Sequence, residues 1–356
     1  MNGYGGVTNF AEHLGPSYTY RMANIYVYSA STAVRDKAAF KRGIKRLQTL
    51  GHEVELDPGA LSSSTRFAGD DATRIAAVHR AAASGADITI IARGGYGLTR
   101  ILPQLNYKAI AKSIERGTQW VGYSDFGALQ AALHVKTGAS TWCGPDVTGD
   151  FGSGLAGSAG ASTPPDDIME ACFDDLVQGI GEGAGWRIPA PAKNNNKAKA
   201  TTKSATKSIA TNVMNTWTTP DIHIQNATLW GGNLCVLTAL LGTPYFPQID
   251  KGIVFFEDVG EHPYRIERNL TTWLMAGILQ RQKAIVLGQF TGYKLVASYE
   301  KGYKMQTVVD WLRTQTKVPV LTGLPFGHVP TKVCLPFGKT ASLSTEGRDA
   351  LLFWGD

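Results

Sequence analysis

The sequence predicts an α/β protein whose first half is built on a mostly parallel sheet. Three observations carry that expectation. Apolar, β-prone runs alternate with segments of helical spacing from Asn24 to about residue 138. Several of these runs stop in Gly- or Ser-containing turns, and a low-complexity tract near residue 200 divides the chain in two. Strands separated by helices form βαβ units, whose sheets are mostly parallel.

Taken in order, "NIYVYSAS" (24–31) is a strand that runs into a small-residue turn. "VRDKAAFKRGIKRLQTLG" follows with helical spacing, and Gly51 stands where a C-cap is expected. "HEVELD" is a second strand, and "GDDATRIAAVHRAAASG" a helix with acids in its first turn. "ADITIIAR" (86–93) is a buried strand that stops at Gly94-Gly95-Tyr96-Gly97. A further helix precedes the strand "TQWVGYS", and the helix "DFGALQAALHVKTG" follows it. In such sheets ligands bind beyond the carboxyl ends of the strands. Both "RGGYG" and "GYSD" lie there.

From about residue 151 the character changes. A Gly/Ser/Pro loop leads to the short amphipathic helix "IMEACFDDLVQGIG". The tract "PAPAKNNNKAKATTKSATKS" then has too few apolar residues to form a core. Structure resumes at "ATLWGGNLCVLTALLGTPYF". The strand "GIVFFEDV", helix "RIERNLTTWLMAGIL", strand "KAIVLGQF", a helix around "MQTVVDWLRTQ" and strand "VPVLTGLPFG" follow. The closing pair "KVCLPFG" and "DALLFW" is expected to be antiparallel. The resulting division is an N-terminal α/β domain over 20–165, a linker with the lysine-rich insertion over 166–217, and a C-terminal domain over 218–356.

A chain of 356 residues is long enough for two sizeable cores. With 43% hydrophobic and 18% charged residues it reads as an ordinary soluble globular protein. The net charge of +6 is local. Lys193, Lys197, Lys199, Lys203 and Lys207 fall between Ile188 and Pro220 with no acid among them, which leaves the rest of the chain near +1. The tract therefore reads as a solvated linker, and no nucleic-acid partner is expected. A non-catalytic anion-binding module using these lysines is the alternative from another class, and steep weakening with salt would reveal it. Cys143, Cys172, Cys235 and Cys334 are scattered without metal-ligand spacing and read as reduced residues. The N-terminus has neither a basic nor an apolar signal region, and no apolar run reaches the ~18 residues of a membrane span. A cytoplasmic protein without a membrane partner, cofactor or metal is expected.

Among candidate motifs, "GSGLAG" (152–157) matches a dinucleotide fingerprint but lacks the strand before it and the helix after it. No lysine-containing phosphate loop follows any Gly-rich stretch. In "RGGYG", two glycines after a buried strand let backbone N–H groups face a ligand, as in an oxyanion hole, or form only a tight turn. Ser124 sits in a strand–turn–helix, the arrangement that lifts a nucleophile above a sheet, although Phe126 replaces the second glycine of that motif. Ser124 and Asp125 are equally good helix caps. A serine nucleophile needs a base and a group to orient it. His79 and His134 lie in helical patterns, His13 and His52 near turns, and His223 beside the linker, which leaves His262 and His328. His328 ends the apolar run "VPVLTGLPFGH", and Glu257-Asp258 end "VFFED". That acidic pair would equally cap a helix or begin a metal site. Ser124, Glu257 and His328 each occupy a strand end, so one sheet edge would gather them.

Five ordered blocks, "ARGGYGLTRILPQLNY", "VGYSDFGALQAALHVKTG", "LWGGNLCVLTALLGTPYFP", "FFEDVGEHPYRIERNL" and "GLPFGHVPTKVCLPFG", together resemble the LD-carboxypeptidases, or muramoyltetrapeptide carboxypeptidases, a serine peptidase family. The resemblance runs from about Asn24 to the C-terminus. It implies a Rossmann-like N-terminal domain, a C-terminal α/β domain with a barrel-like sheet, and a site between them. It further implies a triad of Ser124, His328 and Glu257, with backbone N–H groups of Asp125 and Gly95 as the oxyanion hole. Gly94, Tyr96 and Trp186 are carried as substrate-binding candidates. The implied reaction removes terminal D-Ala from murein tetrapeptide during cell-wall recycling, in a cytoplasmic homodimer without metal. The lysine-rich tract departs from the usual family pattern. Relatives that confer self-immunity to microcin C have an extended loop near this place, with an aromatic residue that stacks on adenine, and hydrolyse peptidyl- or aminoacyl-adenylates. Trp186 and Trp217 flank the tract, so either an adenylate substrate or two core tryptophans would fit.

Overall fold

The structure is a computed structural model that describes residues 21–153, 165–190, 221–295, 298–300 and 302–355. The lysine-rich tract, Trp217, the first 20 residues and most of "GSGLAG" lie outside the described residues. The strands are β1 (Asn24–Tyr28), β2 (Glu53–Leu56), β3 (Ile88–Ile91), β4 (Gln119–Gly122), β5 (Thr141–Cys143), β6 (Gly183–Arg187), β7 (His223–Asn233), β8 (Ile253–Val259), β9 (Ala284–Thr291), β10 (Val320–Thr322), β11 (Leu335–Phe337), β12 (Thr340–Glu346) and β13 (Asp349–Phe353). The helices are α1 (Lys37–Thr49), α2 (Asp71–Ala83), α3 (Leu98–Ile101), α4 (Tyr107–Glu115), α5 (Phe126–Thr137), α6 (Asp167–Gln178), α7 (Leu234–Thr238), α8 (Pro263–Met275) and α9 (Met305–Gln315).

Two sheets result. The first has the order β11-β5-β4-β3-β1-β2, parallel throughout except for β11, which runs antiparallel to β5. The second, a curled half-barrel, has the order β10-β9-β8-β7-β12-β13-β6. Its first four strands are parallel and the remaining pairings antiparallel. The α/β class and the two-sheet plan expected from the sequence are thus observed.

Side-chain alternation on β1 shows why the first sheet is covered on both faces. Ile25 and Val27 pack into one core with Phe40, Phe151 and Phe173, whereas Tyr26 and Tyr28 pack into the other with Ala77 and Trp120. Successive strand residues point to opposite faces, so a run with no polar gap must be buried twice. The second core continues into the half-barrel. Helix α5 forms the joint, buried at every residue from Phe126 to Leu133, as a helix apolar all round must be.

One pairing differs from the sequence expectation. "DALLF" pairs antiparallel with β12 rather than with "KVCLPFG", whose residues Leu335–Phe337 cross to the first sheet beside β5. The tight Gly347 turn makes the β12–β13 hairpin the nearer partner. The crossing has a consequence for function: segment 323–334 carries His328 from one sheet over the edge of the other.

Candidate active site

The first sheet has the strand order of a doubly wound fold, and its order reverses between β1 and β3. Ligands bind at such a switch point, outside the carboxyl ends of the strands. The loops after β1, β3 and β4 supply Thr32, the Gly94–Gly97 turn and Ser124.

Ser124 has φ +62°, in the left-handed region that non-glycine residues avoid. The cost is about 1–2 kcal/mol, and such strain persists only where the surroundings enforce it. Here Tyr123 and Phe126 are anchored in the core on either side. Neither Ser124 nor Asp125 caps α5 with its side chain. The carboxylate of Asp125 instead accepts from the N–H of Leu98 at 2.9 Å, which ties the glycine turn to the serine turn. Burial raises the Asp125 pKa, against the Leu98 bond and nearby charges that lower it. The cap reading is therefore replaced: the Asp125 carboxylate serves a neighbouring element rather than α5.

The glycine turn is built for close approach. A Cβ on Gly94 would stand 2.8 Å from Ser124 Cβ, so the two turns touch. Gly95 has φ +117°, and a Cβ there would lie 2.2 Å from Thr32 Oγ1. Thr32 Oγ1 in turn accepts from the N–H of Tyr96 at 3.0 Å and fixes the turn. The Tyr96 ring is exposed beside the Arg66 guanidinium, 5.5 Å from it.

The second half of the site comes from the half-barrel. His328 Nδ1 lies 2.7 Å from Glu257 Oε2, and Glu257 is fully buried. Its other oxygen accepts from Asn233 Nδ2 at 3.2 Å. A buried carboxylate must be satisfied in this way, and a carboxylate acceptor assigns the Nδ1 proton to His328, leaving Nε2 as the basic nitrogen. Gly327, at φ +144°, permits the approach, because a Cβ there would press on Glu257 and Gln289. The imidazole stands over Tyr123, with ring centroids 4.9 Å apart. Among the described residues no hydrogen bond joins His328 to Ser124; only the Glu–His half is closed.

The crossing segment is pinned on its far side. Lys332 is fully buried, bonds Asp150 at 2.5 Å and sits 4.1 Å from the Tyr123 ring centroid. Asp150 belongs to a single π-helical turn, Val147–Phe151, which Asp146 caps. Burial and the neighbouring Asp150 raise the Asp146 pKa to about 7. A cavity of about 230 Å³ opens here between Tyr123, Asp150, Asp166 and His328. A larger groove of about 700 Å³ lies at the opposite ends of the strands, around Gln119, Trp142 and Trp354, away from these groups.

The remaining candidates separate. His262 caps α8 and its Nε2 lies 3.5 Å from Glu300. Asp258 turns away from His328 and accepts from Asn233 Nδ2 and from the N–H of Cys235, both at 2.9 Å. No group of three or more potential metal ligands occurs among the described residues. Trp186 sits in the core on β6, and its indole N–H donates to Thr322 O at 3.0 Å. Thr32, Asn233 and Lys332 were not singled out by the sequence. Asn233 ends the apolar run "LWGGN" and was open to the same strand-end reasoning; nothing in "HVPTK" marks its lysine as buried.

Both halves of the chain have known counterparts. The N-terminal domain of the LD-carboxypeptidases matches residues 25–144 and their C-terminal domain residues 226–343. The solved muramoyltetrapeptide carboxypeptidase of Oxalobacter formigenes superposes with a TM-score of 0.75 at 33% identity, covering 94% of this chain and 99% of that one. The murein tetrapeptide carboxypeptidase of Pseudomonas aeruginosa is 27% identical over 72% of this chain and 73% of its own. The microcin C7 self-immunity protein MccF of Escherichia coli is 26% identical over 90% of each. No helix among the described residues is long and apolar enough to cross a membrane. By these matches across both sheets, the chain belongs to the LD-carboxypeptidase family.

Proposed function

We propose that this protein is a serine carboxypeptidase that releases the terminal D-Ala of murein tetrapeptide in cell-wall recycling. The single observation that carries the reading is the Glu257–His328 pair, closed at 2.7 Å beside the strained Ser124 turn. His328 Nε2 takes the proton of Ser124 as its oxygen attacks the scissile carbonyl. The N–H groups of Asp125 and Gly95 hold the oxyanion, each worth ~10²–10³ in rate. Glu257 orients the imidazole and stabilises its charged form. His328 then protonates the departing amine of D-Ala, and water, deprotonated by His328, releases the peptide from Ser124. The setting proposed is a cytoplasmic homodimer.

The extended similarity to MccF supports a second reading, hydrolysis of peptidyl- or aminoacyl-adenylates by the same residues. Purified protein offered murein tetrapeptide, pentapeptide and a peptidyl-adenylate analogue separates the two. D-Ala release from tetrapeptide alone supports the first reading, and turnover of the adenylate alone rejects it.

A further inference from the structure

A carboxypeptidase must tell a chain end from an internal bond. The distinguishing group is a carboxylate one residue beyond the scissile carbonyl, and arginine presents a planar fork that matches it. Such an arginine must stand near the oxyanion turn without a counter-ion of its own. Most arginines around the first sheet are already committed. Arg74 donates to Ala30 O, Gly97 O and Asp71; Arg80 clasps Asp57; Arg100 reaches Asp71. From Arg21 to Arg116, only Arg66 and Arg93 have no side-chain hydrogen bond and no carboxylate within 4 Å of the guanidinium among the described residues. Both flank the Gly94–Gly97 turn.

Their environments differ. Arg66 is exposed, so water solvates its charge and the Tyr96 face suffices as a neighbour. Arg93 is partly buried, where an unmatched charge is costly. It directly precedes Gly94, whose position touches Ser124, and the N–H of Thr148 donates to Ala92 O at 3.0 Å, packing the π-helical turn alongside. The charge of Arg93 is felt by Tyr123 and Asp146, yet neither pairs with it.

We infer that Arg93 receives the α-carboxylate of the residue released, and so sets the preference for a chain end. The inference rests on the proposed carboxypeptidase activity. A substrate continuing past the scissile bond would place a neutral amide against Arg93 and leave the guanidinium desolvated and unpaired, which is how a polar site rejects an analogue.

The test compares murein tetrapeptide with its C-terminal carboxamide. Wild type is expected to favour the free acid by about 10- to 100-fold in kcat/KM, the worth of a charge-assisted hydrogen bond. Arg93→Gln should erase that ratio by lowering the acid's kcat/KM while the amide's stays near wild type. Arg93→Lys should keep part of it, and supplies the comparison if Arg93→Gln does not fold. Arg66→Gln should leave the ratio intact. An unchanged ratio in both Arg93 variants, or its loss in Arg66→Gln, overturns the assignment while D-Ala release by wild type upholds the carboxypeptidase reading. Wild type that releases no D-Ala overturns both.

Discussion

The two halves of the candidate site are built in opposite ways. Ser124 is a local device: strand, turn and helix are contiguous, and the backbone itself holds the residue in a strained conformation. The Glu257–His328 pair is long-range, joined across 71 residues of chain, unstrained and already hydrogen-bonded. One half stores its organisation in φ, the other in a hydrogen bond to a buried carboxylate. Ser124 and the Glu257–His328 pair are thus set independently, each by its own sheet, and segment 323–334 brings His328 against Tyr123, next to Ser124 in the chain.

Breaking either half should therefore differ in kind. The largest effect is expected from Ser124→Ala or His328→Ala, each lowering kcat on tetrapeptide by ~10⁴–10⁶ with little loss of stability, because residues that act as a unit fail together. Steady-state kinetics beside a thermal melt checks both quantities. Glu257→Gln should cost ~10⁴, since an amide no longer enforces the productive imidazole tautomer. A rate within 10-fold of wild type would mean that Glu257 only packs.

Gly95→Ala tests the local half. Its Cβ would meet Thr32 Oγ1, and its φ is unfavourable for alanine. A loss of ~10²–10³ in kcat is expected, with KM less affected, as for removal of one oxyanion donor.

Asp258 sharpens the contrast on the long-range side. Burial lifts its pKa to about 6, from 3.8, against the hydrogen bond from Asn233. The folded state thus binds this proton more tightly than the unfolded chain. The stabilisation it provides is fully present below pH ~4 and is lost as pH rises through about 6, on the order of 3 kcal/mol in all. Urea midpoints measured from pH 4 to 7 should fall less steeply for Asp258→Asn than for wild type. The smallest effect is expected from Trp186→Phe, which loses the bond to Thr322 O at about 1 kcal/mol and leaves kcat/KM unchanged. A large change in KM would instead put Trp186 against substrate.

The same local–distant contrast decides what the sequence revealed. Strands β1 to β4 and helices α1, α2 and α5 follow their periodicity and turn residues closely, because contiguous patterns specify them. Ser124 is visible as a strand–turn–helix, but that pattern alone does not choose between cap and nucleophile, since both use the same residues. The strand-end positions of Glu257 and His328 were legible, whereas their contact depends on a sheet crossing that no local pattern encodes. For that reason the sequence offers β13 as the partner of β11, where the structure has β5, and no local pattern marks the burial of Lys332 against Asp150. Asp125 shows the remaining limit. Its side chain satisfies Leu98 of another segment, so a propensity argument for its own helix pointed at the wrong partner.

The central claim is that Ser124, aided by His328 and Glu257, forms an acyl-enzyme as D-Ala departs. The most direct measurement is D-Ala release from murein tetrapeptide by wild type and by Ser124→Ala, with intact mass read during turnover. The account predicts release by wild type with a transient tripeptide adduct on Ser124, and neither in the variant. D-Ala release by Ser124→Ala at a rate near wild type would contradict it.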